Sequence, residues 1–110
     1  MNTRFSYLYR DGCNYKNFNE IVVEGVLSED QLTPFLREET FFIPSQVGLL
    51  DLQPEEWTVD DHIWHEIEHL QMTLEAPGIR LKAEQLLIKF ELAHENGWDE
   101  FTTTNTNYVL

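Results

Sequence analysis

The chain has 110 residues, of which 20 are Asp or Glu and 7 are Lys or Arg, for a formal net charge of −13. That length suits one domain, and 42% hydrophobic with 13% aromatic residues separates it from disordered chains, which combine high charge with few aromatics. An acidic balance of this size argues against direct binding to nucleic acid or to an anionic membrane, because both need clustered Lys and Arg.

The charge is unevenly spread. No Lys or Arg lies between Arg37 and Arg80, while ten carboxylates from Glu38 to Glu75 do. This stretch reads as an acidic solvated surface or as a decoy for a basic protein partner. Cys13 is the single cysteine, so no internal disulfide can form, and a reduced, cytoplasmic setting is expected. Met1 to Arg10 has no apolar run of signal-peptide type, and no stretch approaches the ~18 apolar residues of a membrane span.

From Arg4 to Arg10 the apolar residues alternate, placing Phe5, Tyr7 and Tyr9 on one side of a half-buried strand. Asp11-Gly12 opens a polar connection, and the β-branched run Ile21-Val22-Val23 marks a second, antiparallel strand over Phe18 to Gly25. Arg10, Asp11, Asn14, Tyr15, Lys16 and Asn17 form a dense polar cluster between the two, suited to pinning a loop or to holding a ligand. Ser28 with Gln31 is a capping box, and Leu27 and Leu32 take the staple positions. Pro34 then requires a kink, or a helix that starts at Thr33. Thr40 to Leu49 reads as a strand with Pro44 at an edge or interruption, and Leu50 to Asp61 as an acidic loop.

His65-Glu66-Ile67-Glu68-His69 has the spacing of a zinc-hydrolase motif. On a helix, His65 and His69 would both reach one ion, with Glu66 as general base and Glu84, Glu91 or Glu95 as a third ligand. On a strand the two rings would share a face but stand about 13 Å apart at ~3.3 Å per residue, too far for one ion. The balance favours a strand, because Trp64, Leu70, Met72 and Leu74 then share one side and a small sheet gains a fourth member. No Gly-rich phosphate loop, Cys pair or nucleophile elbow is present, and Cys13 has only Lys16 nearby to activate it.

Past Pro77-Gly78 a helix is predicted from about Ile79 to Asn96. Ile79, Ala83, Leu86, Leu87, Phe90 and Ala93 form its inward arc, Gly97 its cap, and Trp98 a residue that can fold back. Leu81, Ile88 and Leu92 form a second apolar face, suited to a homo-oligomer interface or to cover by another part of the chain. Phe101 to Leu110 is expected to be a flexible tail, unless Tyr108 and Val109 pair along a sheet edge.

The words RFSYLYRDGCNYKNFNEIVVEG, Phe41-Phe42, SQVGLLDL, DDHIWHE and GWDE resemble a group of small bacterial proteins of unassigned function, over most of the chain up to Glu100. The resemblance implies no activity, cofactor or partner. It does imply that Asp61-His62…Trp64-His65-Glu66 is a family feature without a second histidine at the place of His69, so that the zinc-like spacing is incidental here.

The expected architecture is therefore one α+β domain over residues 1–100. A three- or four-stranded, mainly antiparallel sheet packs against a long C-terminal helix and one shorter helix. The expected role is a non-enzymatic interaction or regulatory module acting as a homo-oligomer. The alternatives are a zinc-dependent hydrolase and an acidic decoy.

Overall fold

Phe5, Tyr7 and Tyr9 do lie on one side of a strand, β1 (Asn2–Arg10), and all three are fully buried. In the computed structural model, which describes residues 1–99, β1 is followed by β2 (Lys16–Glu24), paired antiparallel from Asn2↔Glu24 to Arg10↔Lys16. The expected tail from Phe101 to Leu110, with Tyr108 and Val109, lies outside the described residues. Asp11 shapes the connection between the strands. Its Oδ1 accepts from the N–H of Cys13 (2.9 Å) and of Tyr15 (2.8 Å), and its own N–H donates to the Tyr15 carbonyl. An Asp carboxylate acting on backbone two residues ahead is a local substitute for a regular turn.

Ser28 starts α1 (Glu29–Leu32), and the Gln31 side chain reaches back to the Ser28 N–H at 3.0 Å. Pro34 is accommodated by a change of helix type. After one α turn the chain tightens into a 3-10 turn over Thr33–Phe35, with Pro34 near its start, where a missing N–H costs nothing.

The strand expected over Thr40 to Leu49 is mostly absent. Only Phe41–Phe42 (β3) is extended, and Pro44–Val47 coils into a 3-10 turn. Pro44 cannot donate to a ladder, the Ser45 N–H is taken by Asp51 Oδ1 at 2.9 Å, and Gly48 at φ 82° ends the turn in left-handed backbone. An irregular loop from Leu49 leads to β4 (His65–Thr73), and the sheet has the order β2-β1-β4-β3, antiparallel throughout.

The last helix, α2 (Ala83–Glu95), begins four residues later than the periodicity suggests. The segment before it runs beside β2: the Gly78 N–H donates to the Val22 carbonyl, and Lys82 makes a parallel bridge with Glu24. Ile79 and Leu81 therefore pack on the core from the segment before the helix. Ala83, Leu86, Phe90 and Ala93 are buried as expected. At the far end the Gly97 N–H reaches the His94 carbonyl and the Trp98 N–H the Ala93 carbonyl, a Schellman cap with Gly97 at φ 75°. Trp98 folds back against Phe90 and donates its indole N–H to the Phe35 carbonyl at 2.8 Å.

α1 and α2 cover one face of the sheet. Phe5, Phe42, Phe90 and Trp98 stack edge-on or tilted in the core, with centroids 5.3 to 6.3 Å apart. Neither helix covers the sheet beside Tyr9 and Asn17. The loop before β4 covers it, and hydrogen bonds hold it there: Tyr7 Oη donates to the Leu50 carbonyl (2.7 Å) and Asn17 Nδ2 to the Leu52 carbonyl (3.1 Å). No described helix is long and apolar enough to cross a membrane.

Candidate functional site

The histidine motif is extended chain. His65 opens β4 with its ring among Tyr9, Tyr7 and Phe42, at centroid distances of 5.4, 6.2 and 6.3 Å, and it is fully buried. Both of its nitrogens face backbone. Nε2 lies 2.9 Å from the Leu52 N–H, which can only donate, and Nδ1 lies 3.0 Å from the Ile63 carbonyl, which can only accept. These partners require the neutral ring with its proton on Nδ1. Burial is the main cause that lowers the His65 pKa to about 4, with nearby His62 acting the same way and the Ile63 bond opposing. The ring has no lone pair left for a metal. It clips the long loop to the sheet.

His69 is separated from it by a β-bulge. Pairing with β1 runs Tyr9↔His65, Leu8↔Glu66, Tyr7↔Ile67, and then Ser6↔His69, so Glu68 is an extra residue. The inserted residue reverses the alternation. His65, Ile67, Leu70 and Met72 share the face of Tyr9, Tyr7, Phe5 and Thr3, whereas His69 shares the opposite face with Ser6. The expectation that a strand would put His65 and His69 on one face is corrected by this bulge, as is the grouping of Trp64 with Leu70 and Met72. Trp64 instead carries the Arg37 guanidinium 5.0 Å above its ring.

Glu66, the general-base candidate, lies on the face opposite His65 and pairs with Arg10 Nε at 3.1 Å. Glu84, Glu91 and Glu95 are exposed on α2. Among the described residues no three His, Cys, Asp or Glu side chains are grouped to hold a metal ion. His62 donates from Nε2 to the Arg10 carbonyl (2.7 Å) and accepts at Nδ1 from the Trp64 N–H (3.0 Å), so it too is engaged with backbone.

The polar cluster at the β1–β2 turn is mostly engaged within the fold. Arg10 Nη1 donates to Asn14 Oδ1 (2.8 Å), Asp11 bonds the turn amides, and Asn17 holds the loop at Leu52. Tyr15 and Lys16 are exposed. The Gly12 N–H donates to the Asp60 carbonyl, and Cys13 Sγ donates to Asp60 Oδ2 at 3.2 Å. The Asp60 carboxylate raises the Cys13 pKa, opposite to what activates a thiol nucleophile. Alongside, Tyr9 Oη donates to Asp61, which lowers the Asp61 pKa, while burial first and this bond second raise that of Tyr9.

On α2 the second apolar face is narrower than expected. Leu81 precedes the helix and packs inward, so Ile88 (51% exposed) and Leu92 (52%) remain, four residues apart. Sequence reasoning missed a different surface, a groove of about 480 Å³ between the start of α1 and β4. Its signal was present in the apolar residues Val26, Leu70 and Met72, which line it. Comparison of the chain with protein-family models, with curated proteins and with solved structures finds no match.

Proposed function

We propose that this chain is a non-enzymatic interaction or regulatory module whose partner carries a basic surface. The observation that carries the reading is the engagement of both His65 nitrogens by backbone groups, which makes the most catalytic-looking words in the chain part of its packing. Glu66 is likewise held in an ion pair, and Cys13 is kept protonated by Asp60. What is left for function is the surface, to which the stretch between Arg37 and Arg80 contributes ten carboxylates and no Lys or Arg, with Glu66 and Glu75 paired to Arg10 and Arg4 of β1. Such a field speeds encounter with cationic partners and discourages anionic ones.

Two measurements test the reading. Zinc titrated by calorimetry into the purified protein should show no stoichiometric site, and His65→Ala should leave that result unchanged. Partners captured at low salt and identified by mass spectrometry should be basic and should be released near ~1 M salt, where the screening length falls to ~3 Å. Stoichiometric zinc lost in His65→Ala, or capture indifferent to salt, contradicts it.

Self-association through α2 is the second reading, favoured by the half-exposed Ile88 and Leu92. These two side chains offer on the order of 150 Å², against ~800 Å² per partner in a stable interface. A homodimer therefore needs further surface. Native mass spectrometry of the protein and of Ile88→Glu checks it: a dimer that the variant converts to monomer supports this reading, and a monomer throughout removes it.

A further inference from the structure

β4 is paired along its whole length on one side only. β1 accompanies it from Thr73 to His65, but on the other side β3 meets only His65 and Glu66. Leu70 turns its N–H away from β1, onto Glu29 Oε1 at 3.2 Å. Backbone groups of a strand point to alternate sides, so Met72 presents its N–H and carbonyl in that same outward direction. Its side chain is 61% exposed, that of Leu74 is 87% and that of nearby Val26 is 57%. An open edge with exposed apolar side chains is a template for another strand.

The groove beside this edge has Leu27, Leu70 and Met72 in its lining, with Glu29 and Asp30 at the α1 side. A second depression shares Val26 and Leu27 with it and adds Glu24, Glu84, Lys82 and Leu87. Lys82 already lies 3.4 Å from Glu24. Four carboxylates thus surround an apolar floor whose one lining cation, among the described residues, is paired.

We propose that the Leu70–Leu74 edge receives, as an added fifth strand, an extended partner segment whose groove-facing side chains are apolar and are flanked on that face by Lys or Arg. This rests on the reading of a basic partner above and names where and how that partner docks. The strand's main chain bonds the outward groups of Leu70 and Met72, and a partner carbonyl takes the position that Glu29 Oε1 holds on the Leu70 N–H. Its apolar side chains enter the groove, and the flanking cations, on the same face of the strand, meet Glu29 and Asp30 at the groove's α1 side. A second copy of this chain is a poor occupant: β4 contains no Lys or Arg, and two chains of charge −13 would be brought edge to edge. The bulge at Glu68 confines docking to the regular stretch beyond it.

The test uses the unmodified protein, a Met72→Pro variant and three fluorescent synthetic peptides. One peptide carries, on the side-chain face turned to the groove, valines flanked by lysines; the second has glutamates in place of those lysines; and the third is the lysine peptide N-methylated at every second amide. Proline at position 72 removes an outward donor without costing a bond to β1, so the fold should persist, checked by circular dichroism. The lysine peptide should bind the unmodified protein. It should lose at least about tenfold in affinity to Met72→Pro, the loss of roughly one main-chain hydrogen bond in a buried setting. The N-methylated peptide, read on the unmodified protein, should lose as much, and this arm decides the matter if the variant does not fold. Equal binding of the lysine and N-methylated peptides overturns edge docking, even if salt-sensitive capture of basic partners persists and leaves the broader reading standing. If the lysine peptide fails to bind and no basic partner is captured at low salt, both readings fall. A dimer of the unmodified protein that Met72→Pro dissolves also overturns the proposal, with a second copy as the occupant.

Discussion

Consider a titration from pH 7 to pH 4 in which the urea stability of the protein is compared with that of a His65→Gln variant. In the folded chain the ring is neutral, with a pKa lowered to about 4, against 6.5 for an ordinary histidine. The unfolded state therefore binds more protons across this window, and stability rises with pH. The contribution of His65 is fully present above pH 6.5 and is lost as the pH falls toward 4. Two-state linkage with these values gives a loss of about 2 kcal/mol by pH 5 and about 3 kcal/mol by pH 4. That is a large part of the ~5–15 kcal/mol that holds a domain of this size. Physically, a protonated ring would turn a second N–H toward the Leu52 N–H, two donors facing each other in a buried site. Glutamine keeps one acceptor and one donor but does not titrate. The variant should be less stable at pH 7, yet its stability should fall by less on acidification, and the difference between the two curves isolates His65 from the carboxylates that titrate in both. Parallel curves for the two proteins would refute the buried neutral ring.

Two further substitutions probe the same frame. Tyr7→Phe removes a hydroxyl that donates to the Leu50 carbonyl and accepts from Asn19 Nδ2; it should cost about 1–2 kcal/mol in urea unfolding and raise hydrogen exchange in the loop before β4. Gly25→Ala should cost about 1–3 kcal/mol, because φ is +97° there and the added Cβ would sit 3.3 Å from that of Ala83; an unchanged thermal midpoint would contradict this packing.

The elements legible in the sequence were those with a strong local cause. Alternation from Phe5 to Tyr9, β-branching at Ile21 to Val23, the Ser28–Gln31 box and the Gly97 cap each act within a few residues, and each of these local features formed where it was read. The histidine stretch is extended as the balance of side chains suggested, but its faces were misassigned. A single inserted residue at Glu68 reverses every later side chain, and nothing in Ile67-Glu68-His69 taken alone demands a bulge. The other misses come from partners that residue types and their spacing do not announce. Lys82 is held extended by Glu24, far away in sequence, which shortens α2. Ser45 is captured by Asp51, which helps turn the expected strand after Phe42 into a 3-10 turn. The role of His65 was out of reach because its partners at Leu52 and Ile63 are backbone groups with no sequence signature.

The strand order β2-β1-β4-β3 places the first strand of the chain in the interior of the sheet, with Asn2 opposite Thr73. As the polypeptide leaves the ribosome, β1 and β2 can zip together at once across a short turn. The other flank of β1 has no neighbour until some sixty more residues have been made, and closing so long a loop carries a larger entropic cost than closing the hairpin. Through that interval the rings of Phe5, Tyr7 and Tyr9 stand uncovered on a two-stranded ribbon, so the nascent chain is most exposed to off-pathway association before its central seam can close.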